Sequence, residues 1–195
     1  MFETLKSIDR DILLAINSWH TPLMDTFMYY LSEKLSTLIT VLIILSVAYA
    51  FYKKSHLKKA VEFILGCAIV FACADFSANV TKHKVKRFRP THNIEIKDRI
   101  HRVNDYSGGK YAFFSSHASN TFGIITFIYL CVYWMRARYK LLLFLYPLLL
   151  IYSRIYLGVH YPSDVFTGSL IGVMFGMIVY YIMNLYFLKL YEKKA

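Results

Sequence analysis

The stretch DVFTGSLIGVMFGMIVYYIMNLYFL, residues 164–188, decides the fold class. It contains no charged side chain after its first residue, Asp164, and about 20 apolar helical residues suffice to cross the hydrocarbon core of a bilayer. Gly168, Gly172 and Gly176 recur at four-residue spacing, which lets a neighbouring helix approach closely. The stretch therefore predicts a membrane-spanning helix with a closely packed face.

Four further apolar runs precede this stretch, at residues 35–52, 60–81, 116–134 and 141–157. Each is close to the length that a helix needs to cross a bilayer. The sequence therefore predicts an all-α, polytopic membrane helix bundle of about five transmembrane helices, forming one domain over residues 1–195.

The N-terminal segment, residues 1–34, has a different pattern. Between residues 5 and 19, apolar side chains recur at helical spacing with charged ones opposite, as in a helix that lies in the membrane interface. Pro22 and Glu33 interrupt the pattern, so residues 23–31 are predicted to form a second short amphipathic piece. The first 20 residues lack a basic start and a continuous apolar core, which predicts no cleavable signal peptide.

Composition and charge exclude an ordinary soluble domain. Hydrophobic residues make up 57% of the 195, the mean hydropathy is +0.41 and the formal net charge is +11. The basic residues lie mostly between the apolar runs, so anionic lipid head groups rather than nucleic acid are the expected partners. Cys67, Cys73 and Cys131 lie inside apolar runs and are expected to be small buried side chains rather than disulfides or metal ligands.

Alternation of five crossings places the polar residues on one side of the membrane. The polar segment 82–115 and the turn 158–163 share that side with the N-terminal segment. The other side receives residues 53–59, 136–140 and the tail 189–195. The compact basic turns on this second side favour the cytoplasm. The polar side is therefore expected to face the periplasm or exterior of an inner (plasma) membrane.

Three clusters of polar side chains come from helix ends on the polar side. Along the chain their members are Lys82 and Arg89; Ser115, Ser116 and His117; and Ser153, Arg154, His160 and Asp164. Phosphate is the ligand that uses such a set, because lysine and arginine neutralise it and a helix N-terminus offers free amides. Carboxylates do not cluster there, so the cations are expected to stabilise the charge without a metal ion or other cofactor.

Two histidines in these clusters can complete a reaction cycle. A neutral imidazole can attack phosphorus, while a protonated one donates to the leaving oxygen. His160 is the better nucleophile candidate because Asp164, four residues later, can hold one ring nitrogen and leave the other free. His117 is then the expected acid.

These residues resemble the pattern of the type 2 phosphatidic acid phosphatases, membrane relatives of the vanadium haloperoxidases. That pattern is Lys-x6-Arg-Pro, then Pro-Ser-Gly-His, then Ser-Arg-x5-His-x3-Asp, and this chain matches its intervals over residues 82–164. Two positions depart from it, since Phe114 stands for the proline and Ser116 for the glycine.

The resemblance implies metal-independent dephosphorylation of a membrane lipid. His160 would form a phosphohistidine, Asp164 would orient it, and His117 would protonate the leaving group and then activate water. The implied phosphate-binding residues are Lys82, Arg89, Ser115, Ser116, Ser153 and Arg154. Small bacterial members act on undecaprenyl pyrophosphate, phosphatidylglycerol phosphate or lipid A phosphates, so a phosphorylated lipid is the expected partner.

Several alternatives stay open at this point. The same histidine could serve a lipid-to-lipid phosphotransferase, and a non-enzymatic phospholipid-binding protein is a third hypothesis. Asp75, inside a predicted crossing, is either functional or paired with a basic residue. Arg87 is expected to reach lipid head groups, and Gly108 and Gly109 to form a turn in a mobile loop over the site. The glycine repeat could pack within or between chains, so the oligomeric state is undetermined.

Overall fold

The computed structural model describes residues 2–188, and this part of the chain is almost entirely helical. The α-helices are α1 (Phe2–Ser18), α2 (Pro22–Tyr29), α3 (Ser36–Lys54), α4 (Leu57–Val85), α5 (Ser116–Cys131), α6 (Ala137–Leu141), α7 (Leu145–Tyr156) and α8 (Pro162–Met183). Wider π-helical turns follow α2 at Tyr30–Leu35 and α8 at Asn184–Leu188. The predicted tail, residues 189–195, lies outside the described residues.

The N-terminal segment differs from the prediction of two short amphipathic pieces. α1 forms as predicted, but residues 23–31 belong to one continuous helical stretch, Pro22–Lys54, that is long and apolar enough to cross a membrane. Thr21 caps its start by accepting a hydrogen bond from the backbone N–H of Met24, and Pro22 occupies the first turn. The helix continues through Glu33 because the Glu33 carboxylate forms an ion pair with Arg154 inside the bundle.

Within residues 2–188, four stretches have the length and hydropathy of membrane spans: Pro22–Lys54, Leu57–Val85, Ala137–Tyr156 and Pro162–Phe187. The predicted crossing at residues 116–134 is shorter than expected, since α5 ends at Cys131 after 16 residues. Most of its side chains are buried among the other helices. The predicted all-α polytopic membrane bundle is therefore confirmed, with α5 as its central helix.

The glycine repeat of α8 packs within the chain, against α5. A Cβ atom added to Gly168, Gly172 or Gly176 would lie 2.3–2.6 Å from a backbone oxygen of α5 or of Ser115, which precedes it, and this is closer than side chains pack. This close approach brings the two helix starts together, and the backbone N–H of Ser115 donates to the carbonyl of Asp164 at 3.1 Å. The repeat therefore sets the relative position of two of the predicted polar clusters.

Candidate active site

The three polar clusters meet where α4 ends and α5 and α8 begin. α4 continues to Val85, so Lys82 lies in its last turn, and its ammonium donates to Ser116 Oγ at 2.9 Å. The backbone contact between Ser115 and Asp164 joins α5 to α8 at the same end of the bundle. Residues separated by more than 80 positions along the chain therefore form one site.

His160 is fully buried in the turn between α7 and α8. Its Nδ1 lies 3.6 Å from Asp164 Oδ2, and neither ring nitrogen has a hydrogen-bond partner among residues 2–188. Asp164 Oδ2 also accepts the backbone N–H of Tyr161 at 2.9 Å, which fixes the carboxylate beside the ring. Nδ1 thus faces Asp164, and Nε2 is left free to react.

Three cations converge on the two histidines. The charges of Lys82, Arg89 and Arg154 all act on both imidazole rings, and the His117 ring acts on His160. Both guanidinium groups are buried, and each has an N–H group without a partner in the described part of the chain, Nη1 in Arg89 and Nε in Arg154. Buried cations that crowd one another are costly unless an anion joins them, so this geometry suits a phosphate group.

Burial and the charges of neighbouring cations lower the pKa values of Arg89 and His160, which both lie outside the membrane-spanning segments. Burial and then the charge of Arg154 lower the pKa of Arg89 to about 10, which still leaves it cationic at neutral pH. Burial, followed by the charges of Arg89, Arg154 and Lys82, lowers the pKa of His160 well below its usual value. The His160 imidazole is therefore neutral at pH 7, as a nucleophile must be.

The lowered pKa of His160 predicts an acid-tolerant enzyme. Because the ring gains its proton only well below pH 6.5, protonation of His160 should not lower kcat/KM as the pH falls through 6.5. Arg89→Gln removes a repelling charge, so it should raise the pKa of His160 and move the acid limb to higher pH. Full pH profiles of the wild type and Arg89→Gln measure this, with Arg138→Gln as a control on an exposed cation.

Ionisation of the substrate phosphate affects all three pH profiles equally. A difference in the position of the acid limb between them therefore arises from ionisation of the protein. A wild-type acid limb at or above pH 6.5 that Arg89→Gln does not move would contradict the prediction.

The three predicted serines have different surroundings. Ser115 caps α5 by accepting the N–H of Ala118 at 3.5 Å, and Ser116 accepts from Lys82. Ser153 is buried, and its hydroxyl donates to the Leu150 carbonyl at 2.6 Å, within its own helix. Phosphate contacts from these serines stay predictions, and for Ser153 a contact would use the lone pairs of its oxygen.

Arg87 corrects the sequence interpretation, which placed it among lipid head groups. Its guanidinium donates to Asp164 Oδ1 at 2.7 Å, to Asp9 Oδ2 at 2.6 Å and to Ser163 Oγ at 2.7 Å, and it stacks over the Tyr161 ring at 4.0 Å. Burial alone would lower the pKa of Arg87, but the two carboxylates outweigh it and raise the pKa. Arg87 therefore holds the second oxygen of the carboxylate that faces His160.

Glu33 is a second residue that the sequence analysis did not place at the site. Its carboxylate accepts a hydrogen bond from Arg154 Nη1, which also donates to Ser32 Oγ, while Nη2 donates to the Tyr106 hydroxyl at 3.1 Å. A carboxylate inside an apolar helix is the signal that could have identified it. Glu33 and Tyr106 fix the plane of the Arg154 guanidinium.

The segment after α4 is tied to the site rather than free above it. The backbone N–H of Arg89 donates to the Lys110 carbonyl at 3.1 Å, and that of Ala112 donates to the Arg87 carbonyl at 2.8 Å. Gly108 has a φ of +64°, and a Cβ there would lie 2.1 Å from Arg89 Nη1. The glycine thus lets the backbone lie directly against a predicted phosphate-binding guanidinium.

Gly108→Ala is expected to lower kcat/KM by about 10- to 100-fold, because the new methyl group displaces the Arg89 guanidinium and small displacements of binding groups are costly. Gly109→Ala is the matched control, since a Cβ there meets no atom within 4 Å. Steady-state kinetics of both variants test this, and equal activities for the two would contradict it.

One group of side chains in the described residues could ligate a metal ion. It consists of His20, Asp25 and His101, of which His101 Nε2 lies 2.8 Å from Asp25 Oδ2. None of the predicted site residues belongs to it. The Asp25 carboxylate also accepts the Tyr156 hydroxyl at 2.6 Å, so the group joins α2 to the end of α7.

Comparison with known proteins assigns the family. The model of the PAP2 superfamily matches residues 59–187, which include every predicted site residue. The chain belongs to the PAP2 superfamily. Among its curated relatives, the lipid A 4′-phosphatase of Bacteroides thetaiotaomicron is 34% identical over 185 residues, covering 93% of this chain and 80% of the relative. The lipid A 4′-phosphatase of Porphyromonas gingivalis is 33% identical over 183 residues, covering 91% and 74%.

Two crystal structures share the fold of this PAP2 protein. LpxE of Aquifex aeolicus superposes with a TM-score of 0.61 at 24% identity, covering 87% of this chain and 92% of that one. The PAP2-type phosphatidylglycerolphosphate phosphatase of Bacillus subtilis gives a TM-score of 0.72 at 19% identity, covering 98% and 90%. With the relatives above, the family assignment makes this protein a multi-pass membrane phosphatase.

Proposed function

We propose that this PAP2 protein removes phosphate from a membrane lipid through a phosphohistidine at His160. The observation that carries the proposal is a buried, neutral imidazole with a free Nε2, placed among three cations at one end of a membrane bundle. Both curated relatives are lipid phosphatases by name, which supports a lipid phosphate as substrate.

The reaction consists of two displacements at phosphorus. Lys82, Arg89 and Arg154 neutralise the phosphoryl oxygens while His160 Nε2 forms a bond to phosphorus and the bond to the lipid oxygen breaks. The bound phosphate offsets the charges of the three cations, which allows His117 to carry a proton. His117 gives this proton to that oxygen, and the dephosphorylated lipid alcohol leaves. His117 then takes a proton from water, whose oxygen attacks phosphorus and breaks the N–P bond. The products are the lipid alcohol and inorganic phosphate, with both histidines regenerated.

Asp164 and Arg87 have positioning roles in this scheme. Asp164 Oδ2 faces Nδ1 and so favours the tautomer that carries its hydrogen there, which leaves the lone pair on Nε2. As Nε2 becomes bonded to phosphorus the ring gains positive charge, and the carboxylate stabilises it. Arg87 fixes the carboxylate through its other oxygen.

The substrate we propose is a phosphomonoester of an acylated sugar lipid, of the kind that the two curated relatives are named for. We place the enzyme in the inner membrane with its site on the outer side. The basic turns at residues 53–59 and 136–140 support this orientation because positive charge in short loops favours the cytoplasm.

Phosphate release by purified protein in detergent with EDTA tests the proposal. The panel comprises a lipid A phosphate, phosphatidylglycerol phosphate and undecaprenyl pyrophosphate. Release of free phosphate, most rapidly from the lipid A phosphate and without added metal, is expected. Phosphate release that EDTA abolishes, transfer of the phosphate to a second lipid in place of release, or no release from any member would contradict it.

A further inference from the structure

An apolar groove joins the active site to the lipid-facing side of the bundle. It has a volume of about 520 Å³ and lies between α3, α4 and α5, with Ser116 and His117 at one end. Val41, Ile64 and Phe71 line it and are 40–49% exposed, so the groove opens sideways between the helices. Its volume falls in the range of about 300–1,000 Å³ that is usual for small-ligand sites.

A polar pair interrupts the apolar lining of this groove. Asp75 Oδ1 accepts from Asn120 Nδ2 at 3.2 Å, and Asp75 Oδ2 accepts from Asn79 Nδ2 at 2.8 Å. Asp75 and Asn120 line the groove, whereas Asn79 does not. Polar side chains inside membrane helices are costly and are commonly functional, so this pair is a candidate for contact with a ligand.

Some hydrogen-bond acceptor positions of Asp75 and Asn120 are left without a donor in the described residues. Asn120 Oδ1 is buried and has no hydrogen-bond partner among residues 2–188. Each oxygen of the Asp75 carboxylate accepts one side-chain hydrogen bond, although a carboxylate oxygen can accept two. One N–H of the Asn120 amide donates to Asp75, so the positions of the pair left without a hydrogen bond include the acceptor Asn120 Oδ1. A ligand that uses it must carry an N–H or O–H donor.

Helix geometry gives the distance between these acceptors and the phosphate site. Asn120 lies one turn below Ser116 on α5, about 6 Å along the axis, and Asp75 lies two turns below Lys82 on α4, about 10 Å. The contact of Lys82 with Ser116 and that of Asp75 with Asn120 are successive contacts of the same antiparallel helix pair. The donor must therefore lie close to the head group, near the start of the lipid chain.

We propose that this groove holds an acyl chain that carries a hydrogen-bond donor near its head, and that Asp75 and Asn120 select for that donor. Amide-linked and 3-hydroxylated acyl chains on an amino sugar have such donors at this depth. The chains of isoprenyl phosphates and of ester-linked glycerolipids have none. This inference rests on the proposed function and specifies its substrate class as an acylated amino sugar phosphate.

Two matched synthetic lipids test the inference. One is glucosamine 4-phosphate with a 3-hydroxyacyl amide, and the other is glucose 4-phosphate with an unsubstituted ester chain of equal length at the same carbon. The wild type should prefer the first in kcat/KM by about 10- to 100-fold, the usual range for hydrogen bonds to charged groups. Asn120→Leu should bring the ratio close to 1 while leaving kcat/KM for the ester lipid within about threefold, and Asp75→Leu should also bring the ratio close to 1.

Asn79→Leu is the matched control, because Asn79 contacts the same carboxylate from outside the groove; it should keep the wild-type ratio. A wild-type ratio near 1, or equal loss of the ratio in Asn79→Leu, would overturn the inference.

Binding separates this inference from the proposed function. Dissociation constants of both lipids are measured on His160→Ala, with and without Asn120→Leu. If His160→Ala binds the amide lipid more tightly than the ester lipid, and Asn120→Leu removes this preference, the groove assignment is supported. Absence of hydrolysis of both lipids by the wild type would contradict only the proposed function. Equal binding of both lipids to His160→Ala would overturn the groove assignment.

Discussion

Replacement of His160 by alanine is expected to lower kcat by about 10⁴-fold or more, because the covalent route loses its nucleophile. His160 is fully buried, its Nδ1 lies 3.6 Å from Asp164 Oδ2, and the charges of three cations act on it. Phosphate release in single-turnover experiments measures the loss. His56→Ala is the control, since His56 is exposed at the start of α4, the end of that helix remote from the site.

Two further observations distinguish a lost nucleophile from a lost fold. His160→Ala should still bind inorganic phosphate, because Lys82, Arg89 and Arg154 are retained, and its thermal unfolding should stay cooperative. The neutral, polar variant His160→Gln should be as inactive as the alanine variant. If either variant kept more than about a hundredth of the wild-type kcat, general acid–base effects alone would account for its loss, and His160 would not be the nucleophile.

Arg87→Ala is expected to lower kcat by about 10²- to 10³-fold with little change in KM. The guanidinium bridges Asp9 and Asp164, so its loss leaves two carboxylates without their cation and frees the one that orients His160. Arg87→Lys keeps the charge but loses the forked geometry, and should retain intermediate activity. Kinetics that separate kcat from KM measure the effect.

Arg10→Ala is the control for Arg87, because Arg10 belongs to α1 and pairs with Glu95, of which 64% is exposed. Exposed pairs contribute about 0–1 kcal/mol, so this variant should retain nearly full activity. A double-mutant cycle of Arg87→Ala with Asp164→Asn should be strongly non-additive if the two residues act as one unit. Additive losses, or a rise in KM with unchanged kcat, would contradict the positioning role.

Much of the bundle could be predicted because apolar run length is a local property of the sequence. The runs around residues 35–52, 60–81 and 164–188 correspond to long helices. The errors arose where tertiary contacts override the local pattern. Glu33 is an interruption in the sequence, but in the fold its carboxylate pairs with Arg154 and the helix continues. The short α5 is stabilised by burial among its neighbours, which its own composition does not reveal.

The site residues also divide into those that local spacing reveals and those that tertiary contacts determine. The spacing of Ser153–Arg154, His160 and Asp164 could be recognised because that turn is local, whereas Arg87 was assigned to the membrane surface. Its partners lie 78 and 77 residues away, at Asp9 and Asp164. The helix α4 ends just before Lys86, which has a φ of +52°. Helical spacing therefore cannot predict the direction of the Arg87 side chain. Contacts of this kind require the three-dimensional path of the chain.

Detection of the covalent intermediate tests the central claim most directly. The enzyme is mixed with a lipid phosphate for less than one turnover, quenched in alkali, in which phosphohistidine survives, and digested for mass spectrometry of the peptide that contains the α7–α8 turn. The proposed mechanism predicts phosphate on His160 that forms and decays at rates compatible with kcat. Phosphate on another residue, or hydrolysis that inverts the configuration at phosphorus as a single displacement does, would contradict it.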